Sequence, residues 1–505
     1  MMPRSLFAIF VFVIAVEGFG SKIFCEGATI PQDQYEDFWN LDPYCLESLC
    51  AYFVIHGNQQ SRQKLEKFFP QLTVDELKTL SHCVLLSKNP DYVFSKEDVE
   101  VIKKLNLQGI SFLCYKDDTS FLPAKDLARA LVYAEFPGEE GKSKAEHYTH
   151  YLDILALRAY IERQRYLDRE QSPLGSEAYH RATIEALNTI LFYEEGIRYP
   201  SKNEMFSDEF SFLSSVADRK FGVCLGVSSL YLSLAQRLEL PLESVTPPGH
   251  IYLRYGGGKV NIETTAGGRH LPTEHYCDCL HVDELRIRSE KELIGLTFIN
   301  QGSFALQKQR YHEADLAYEK AKEYVDDHEL EELLGIVKIL KGQRKEGEAL
   351  LKSSAQAQTT GSVAHDYLQG NIDQTTLKLL FTHPGSTYDE VLSYQEALKK
   401  AVQRSPKCCE SRRRLASVLL HLGKIAEGVA LLEQSAKEAP EDIALHLKLS
   451  KVLCDRHDYV KAQKYFLIAD GLLKGRGIQD DKKSFTLYHE IRKKNIFNST
   501  LILIF

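Results

Sequence analysis

The stretch that decides the central fold runs DRKFGVCLGVSSLYLSLAQRLELP over residues 218–241. Its apolar residues recur at the spacing of one face of an α-helix: Val227, Leu230, Tyr231, Leu234 and Leu238. Cys224 lies in the first turn of this predicted helix, and Pro241 follows the last turn. A helix N-terminus presents unpaired N–H groups and the positive end of the helix dipole, and both favour a thiolate over a thiol. The pattern therefore predicts an amphipathic helix with a cysteine placed to act as a nucleophile.

The residues that follow, 247–263, predict a β-hairpin around three consecutive glycines, Gly256–Gly258. With a two-residue loop formed by the first two glycines, His250 and Glu263 would lie directly opposite each other, with Cβ atoms about 5 Å apart. The carboxylate would then accept one imidazole N–H and leave the other ring nitrogen to take a thiol proton. A three-residue loop would shift the pairing by one and break this register.

Cys224, His250 and Glu263 have the residue types of a nucleophile, a base and an orienting acid. Four motifs resemble those of bacterial transglutaminase-like proteins: the run 218–224, Leu240-Pro241 at the helix end, Pro-Gly-His at 248–250 and Asn-Ile-Glu-Thr-Thr at 261–265. The resemblance implies an α+β fold with a papain-type core, in which a nucleophile helix packs on an antiparallel sheet. It also implies the three roles just named, although the family more often has Asp in the third place.

The resemblance implies acyl transfer at an amide of a protein or peptide substrate. Cys224 would attack a carboxamide or peptide carbonyl, His250 would protonate the departing amine, and an acyl-enzyme would form. Water would then complete a peptidase or deamidase reaction, and a lysine amine would complete a crosslink. No cofactor is implied. The alternative is an inactive transglutaminase-like domain that serves as a scaffold for a protein partner, and a weaker one makes the three residues metal ligands.

The C-terminal third repeats itself at an interval of 34 residues. Residues in the first frame fall on the small and aromatic positions of a tetratricopeptide repeat: Gly302, Tyr311, Ala314, Tyr318 and Ala321. A later frame aligns Pro406 with Pro440, Leu415 with Leu449, Gly428 with Ala462, and Leu432 with Phe466. Between them, residues 331–354 resemble a degenerate copy. Such arrays bind a protein partner and do no chemistry, and docking onto the central domain is the alternative.

The first twenty residues predict an export signal. Arg4 supplies a positive start, Leu6–Val16 is an unbroken apolar run, and Gly18 and Gly20 provide small residues before a cleavage site at Ser21. This run is too short to cross a bilayer, which takes ~20 residues in a helix. The sequence therefore predicts a protein that is exported to the periplasm or cell envelope, or secreted, without a transmembrane span. A bacterial source is implied by the resemblance to bacterial transglutaminase-like proteins.

Length and composition bound the remaining possibilities. The chain has 505 residues with 44% hydrophobic and 26% charged residues, which is ordinary globular usage and predicts two to four domains. Its net charge of −8 gives no electrostatic footprint for nucleic acid, so no nucleic-acid partner is expected. The predicted segments are a signal peptide at 1–20, a helical module at 21–145, the transglutaminase-like domain at 146–290, the repeats at 291–475 and a tail at 476–505.

The eleven cysteines leave the disulfide connectivity open. Cys45 and Cys50 could bridge as sequence neighbours, whereas a bond between the adjacent Cys408 and Cys409 would be strained. A second group of zinc-ligand residue types follows the hairpin: His275, Cys277, Cys279 and His281. Strict alternation would spread these side chains along one strand face, too far apart for one tetrahedral ion. A disulfide or ordinary packing is therefore favoured for this group, and no metal site is expected.

Overall fold

The computed structural model describes residues 42–56, 59–89, 91–105, 126–136, 138–170, 173–200, 208–247, 249–276, 285–355 and 363–475. The backbone separates into two compact units, Met1–Leu85 and Leu86–Phe505. Three of the predicted features lie outside the described residues: the export signal at 1–20, the group at Cys277, Cys279 and His281, and the tail at 476–505.

The first unit is helical over its described residues. Its helices are α1 (Leu46–His56), α2 (Gln59–Phe68) and α3 (Val74–Leu86). Leu77, Leu80 and Val84 are buried on one face of α3, which confirms the helix that their spacing predicts. Cys45 and Cys50 both carry free thiols, so the disulfide considered between them is absent. Burial raises the pKa of the Cys50 thiol to about 12, which keeps this group protonated and inert.

The second unit begins with helices that support the central domain. They are α4 (Lys96–Lys104), α5 (Leu127–Glu135), α6 (Glu139–Glu170), α7 (Glu177–Asn188), α8 (Leu213–Arg219) and α9 (Cys224–Arg237). Arg237, at the end of α9, is fully buried, and its guanidinium donates to Asp153 at 2.8 Å and to Asp126 at 3.1 Å. Removing one partner of such a buried ion pair costs several kcal/mol. This network therefore fixes α9 against α5 and α6.

A small antiparallel sheet lies beside α9. Its strands are β1 (Leu242–Thr246), β2 (Tyr252–Tyr255), β3 (Val260–Glu263), β4 (Arg269–His270) and β5 (Arg286–Arg288), in the spatial order β4-β3-β2-β1-β5. Helix α9 contacts β1 and β2, and β2 and β3 form the predicted hairpin. The described residues are thus mostly helical with one small antiparallel sheet, which agrees with the predicted combination of helices and an antiparallel sheet.

Paired helices occupy the C-terminal part of the second unit. They are α10 (Glu290–Gln307), α11 (Tyr311–Ala321), α12 (His328–Leu340), α13 (Arg344–Ala355), α14 (Val363–Leu368), α15 (Gln374–Leu380), α16 (Tyr388–Arg404), α17 (Cys409–His421), α18 (Ile425–Glu438), α19 (Ile443–Asp455) and α20 (Tyr459–Gly475). A Cβ on Gly302 would lie 2.5 Å from the Tyr318 ring, so only glycine lets α10 approach α11 this closely. Gly302 and Tyr318, which the sequence places on small and aromatic positions of the repeat, therefore face each other across the helix pair.

Residues 331–354 also form a close helix pair, α12 and α13. Here Gly335 faces Gly347 and Leu351, and a Cβ on Gly347 would lie 2.6 Å from the Gly335 carbonyl oxygen. The copy that looks degenerate in sequence therefore keeps the tetratricopeptide-like geometry, because glycine on both helices provides the close approach. No helix among the described residues is long and apolar enough to cross a membrane.

Candidate active site

Cys224 is the first residue of α9, as the sequence predicts. Val223 precedes it in an extended conformation, with φ −88° and ψ 175°, and no side chain in the described part of the chain caps this end of the helix. The Cys224 side chain is partly exposed. Its thiol therefore lies at the positive end of a 14-residue helix whose first N–H groups have no side-chain acceptor there.

Backbone contacts fix the loop that leads into α9. The Gly222 N–H donates to the Arg198 carbonyl at 3.2 Å, and the Val223 N–H donates to the Phe210 carbonyl at 3.0 Å. A Cβ on Gly222 would lie 2.6 Å from Val216 and Val227, and one on Gly226 would lie 2.5 Å from the Phe210 carbonyl oxygen. Glycine at these two positions therefore lets residues 208–219 pack directly against the start of α9.

The hairpin register differs from the predicted one. Leu253 pairs with Ile262 and Tyr255 pairs with Val260, so the loop is the four-residue segment 256–259. The predicted two-residue loop at Gly256 and Gly257 is therefore wrong, and so is the directly opposite pairing of His250 with Glu263. The observed register is shifted by two residues. Because side chains alternate with a period of two, such a shift keeps a residue on the same face of the sheet.

His250 and Glu263 nevertheless meet. His250 lies two residues before β2, and Glu263 is the last residue of β3. The imidazole Nε2 lies 2.9 Å from Glu263 Oε2. This bond occupies Nε2, and Cys224 also interacts with the imidazole and contributes to raising the pKa of His250. The structure thus brings His250 and Glu263 into direct contact and places Cys224 close enough to influence the same imidazole.

The other carboxylate oxygen of Glu263 is bound by Thr265. Oε1 accepts the Thr265 backbone N–H at 3.1 Å and the Thr265 hydroxyl at 2.5 Å. Glu263 is only 4% exposed, so its charge depends on these donors rather than on water. Thr265 belongs to the quoted motif at 261–265, but nothing in the spacing of that motif indicates this contact.

Electrostatics favour a charged histidine. Burial alone would lower the pKa of His250, but its interactions with Cys224 and with the Glu263 carboxylate raise it to about 10. Burial would raise the pKa of Glu263, but its bonds to His250 and Thr265 lower it. An imidazolium facing a carboxylate is therefore the favoured state at neutral pH.

Two tyrosines complete the surroundings of the imidazole. The Tyr276 ring stacks on His250 with centroids 6.1 Å apart and on Tyr252 with centroids 3.6 Å apart. Burial, followed by the nearby Glu263 charge, raises the pKa of Tyr276 above its usual range. Tyr276 lies 13 residues beyond Glu263, outside the predicted hairpin, so sequence spacing gave no sign of this contact.

Tyr199 lies near the sulfur. The Arg198 N–H donates to the Lys220 carbonyl at 3.0 Å, which holds Tyr199 beside the loop before Cys224. Burial, followed by the charges of Cys224 and Glu263, raises the pKa of Tyr199, and its side chain is 39% exposed. An exposed aromatic side chain therefore interacts electrostatically with the candidate nucleophile.

Helix α9 is also tied to the end of β3. Ser228 is buried, and its hydroxyl lies 3.0 Å from that of Thr264. Gly267 and Gly268 form a turn, and the Asn188 side chain donates to the Gly268 carbonyl at 3.3 Å. Within the described ranges, no group of three or more His, Cys, Asp or Glu residues is arranged to hold a metal ion.

Comparison with known families identifies the central domain. Residues 146–295 match the model of the transglutaminase-like superfamily, which confirms the resemblance of this region. The chain therefore contains a transglutaminase-like domain, followed by the helix pairs described above. A UPF0162 protein of Xylella fastidiosa (strain Temecula1) is 27% identical over 134 residues. That match covers 26% of this chain and 44% of the relative, so the chain spans less than half of the relative's length.

Several solved structures of helical-repeat proteins were also found. MamA (MSR-1) is 18% identical with a TM-score of 0.19 and covers 36% of this chain and 98% of its own. Yeast Tom70 is 14% identical with a TM-score of 0.22 and covers 92% and 93%. The P58(IPK) TPR domain is 11% identical with a TM-score of 0.20 and covers 92% and 98%. TM-scores this low do not establish a shared fold.

Proposed function

We propose that this protein is a cysteine-dependent acyl-transfer enzyme that acts on amide groups of proteins or peptides. The observation that carries the proposal is the His250 imidazole, which bonds Glu263 at 2.9 Å and faces Cys224 at the start of α9. This order of acid, base and sulfur is what a nucleophilic cysteine requires. The transglutaminase-like match over residues 146–295 supports the same reaction class and a papain-type arrangement of the core.

In the proposed first step, Cys224 attacks as a thiolate paired with the His250 imidazolium. The sulfur forms a bond to the amide carbon, and the carbonyl oxygen takes up the negative charge. The Cys224 backbone N–H, at the helix start, would donate to this oxygen. When the C–N bond breaks, the amine leaves with the proton from His250 Nδ1, and an acyl-thioester remains on Cys224.

In the second step, the now neutral Nδ1 removes a proton from water or from a lysine amine. The oxygen or nitrogen attacks the thioester carbon, the C–S bond breaks, and the thiolate returns. Water gives a hydrolysed or deamidated product, and an amine gives a crosslink. Glu263 stays ionised throughout, because it holds the imidazole by Nε2 and balances its positive charge.

The helix pairs support a second role, which is recruitment of a protein partner or substrate. Helices α10–α20 extend from Glu290 to Gly475, and stacked helix pairs of this kind present extended surfaces that bind proteins. If the site were inactive, this role would remain as the function of a scaffold. The reactivity of Cys224 separates the two possibilities.

We further propose that the protein is exported. This rests on the positive start, the apolar run and the small residues at 1–20. N-terminal sequencing of the mature protein should then begin at Ser21. A mature protein that begins at Met1 or Met2 would contradict export by this signal.

The test of the catalytic proposal is the rate of iodoacetamide alkylation at Cys224 from pH 5 to pH 9, followed by peptide mass spectrometry. We expect fast labelling already below neutral pH, and a loss of that fast phase in His250→Ala. Cys409, which is also partly exposed, serves as the internal reference in each sample. His270→Ala, which changes an exposed histidine on β4, is the matched control.

The proposal fails if Cys224 labels slowly at all pH values with a midpoint near the free-thiol value of ~8.5. It also fails if His250→Ala leaves the pH profile unchanged. Either result would leave the repeat region as the place to look for function.

A further inference from the structure

The contact that holds Glu263 has a role beyond the three proposed catalytic residues. We propose that Thr265 is a positioning residue, whose hydroxyl and backbone N–H hold one oxygen of Glu263 so that the other stays aimed at His250. This inference rests on the proposed function, because positioning matters only if His250 serves Cys224.

The local backbone explains how a glutamate is held in this place. Glu263 ends β3 with φ −84° and ψ 97°, and the short 3-10 turn Thr264–Ala266 begins directly after it. Its side chain folds over that turn and accepts the backbone N–H of Thr265. Glu263 thus caps the turn that it starts, which is a local side chain-to-backbone bond of the kind usually made by shorter residues.

The two oxygens of the carboxylate are divided between two partners. Oε1 takes both donors of Thr265, at 3.1 and 2.5 Å, and Oε2 takes His250 at 2.9 Å. A free glutamate has one more rotatable bond than an aspartate and therefore aims its carboxylate less sharply. Fixing one oxygen removes this freedom. The threonine contact therefore accounts for how a glutamate can fill a place where transglutaminases more often have aspartate.

Among the residues around Glu263, Thr265 is the one whose hydroxyl can be removed without removing another contact described here. The Thr264 hydroxyl is used by Ser228, 3.0 Å away, so the two neighbouring threonines face different partners. The Tyr276 ring covers the imidazole, and the Glu263 carboxylate is buried. Burial raises the pKa of Glu263, and the bonds from Thr265 help those to His250 to lower it.

The experiment compares Thr265→Val, which has the same shape without the hydroxyl, with Thr265→Ser, which keeps it. Thr264→Val is the matched control on the same turn. Two quantities are measured in the full chain: the pKa of the His250 imidazole by NMR, and the Cys224 alkylation rate at pH 6. Circular dichroism verifies that each variant is folded.

We expect Thr265→Val to lower the His250 pKa and to slow alkylation at pH 6 by about tenfold, the scale of one charge-assisted hydrogen bond. Thr265→Ser should restore both values, and Thr264→Val should leave both near wild type. An unchanged His250 pKa in Thr265→Val overturns the inference. So does a serine variant that behaves like the valine variant, or a Thr264→Val variant with the same effect.

The two proposals fail in different ways. If wild-type Cys224 shows no reactivity that depends on His250, the proposed function fails. The NMR comparison of the Thr265 variants still reports whether the hydroxyl holds the acid–imidazole pair, because it does not depend on the reaction.

Discussion

Replacing Glu263 with glutamine tests the electrostatics of the site. The substitution keeps the size of the side chain and removes its negative charge. The amide can still accept a hydrogen bond from His250 Nε2, 2.9 Å away from the present Oε2, so the main change is the loss of charge beside a histidine whose pKa is about 10. We therefore expect the imidazolium to become less stable.

The size of the effect follows from the shift in pKa. The His250 pKa of about 10 lies roughly 3.5 units above the ordinary value, which corresponds to about 5 kcal/mol in favour of the imidazolium. Cys224 and Glu263 share this stabilisation, and the His250 side chain is 28% exposed, so solvent screens part of it. We expect Glu263→Gln to lower the His250 pKa by about 1–2 units and the free energy of unfolding near pH 6 by about 2 kcal/mol.

The stability lost in Glu263→Gln should become smaller as the pH rises above about 6.5. His250 has a raised pKa, so its contribution to stability is fully present below ~6.5 and disappears as the pH rises through about 10. Glu263 has a lowered pKa, so its contribution is present above ~4.5 and disappears as the pH falls. The difference in stability between wild type and Glu263→Gln should therefore be largest between about pH 5 and pH 6.5 and fade toward pH 10.

The assays are an NMR titration of His250, assigned by the signal that His250→Ala removes, and thermal unfolding at pH 6 and pH 9.5. Glu243→Gln is the control, because Glu243 is a partly exposed carboxylate on the same sheet that bonds Arg254 instead. A His250 pKa within half a unit of wild type in Glu263→Gln would refute the reasoning. So would a stability loss of equal size at both pH values.

Two further substitutions test other parts of the account. Glu135 is partly buried, its carboxylate accepts the N–H groups of Leu213 and Ser214, and desolvation raises its pKa to about 7. Because its pKa is raised, ionisation of Glu135 should lower the free energy of unfolding of wild type by up to about 3 kcal/mol as the pH rises from 5 to 8. Glu135→Gln should not show this loss in thermal unfolding. Wild-type and variant stabilities that change with pH in parallel would contradict this. Gly302→Leu should lower the unfolding temperature at a cost of about 1–3 kcal/mol, because its Cβ would lie 2.5 Å from a tyrosine ring. Gly471→Ala, whose Cβ would meet nothing within 4 Å, should be neutral, and an equal loss in both variants would contradict the close packing.

The sequence was sufficient for the helix that begins at Cys224 and for the existence of the hairpin. Both depend on local periodicity, which one stretch of chain carries by itself. It was insufficient for the register, because the length of a glycine-rich loop depends on backbone angles that glycine leaves open. Gly256, Gly257 and Gly258 all have positive φ, and the loop extends to Lys259. The predicted and observed registers differ by two residues, so each side chain stays on the same face of the sheet, and His250 and Glu263 still meet.

Contacts between residues that are far apart in the chain could not be predicted from the sequence. Tyr276 reaches His250 from beyond the hairpin, and Glu135 reaches the start of α8 from more than seventy residues away. Neither residue belongs to a periodic pattern that includes its partner. In the repeats, the sequence placed Gly302 and Tyr318 on small and aromatic positions of a known unit, and the structure shows that these two residues face each other. The glycines that join α12 to α13 were not assigned to such positions.

The central claim is that Cys224 accepts an acyl group and passes it on. The most direct measurement is the release of p-nitrophenolate from p-nitrophenyl acetate, an activated ester that needs no knowledge of the natural substrate, together with mass spectrometry of the acetylated peptide. The account predicts a burst of one equivalent, acetyl on Cys224, and continued slower turnover, with both phases lost in Cys224→Ala and the turnover lost in His250→Ala. Acetylation spread equally over the exposed cysteines, with no burst and no dependence on His250, would contradict it.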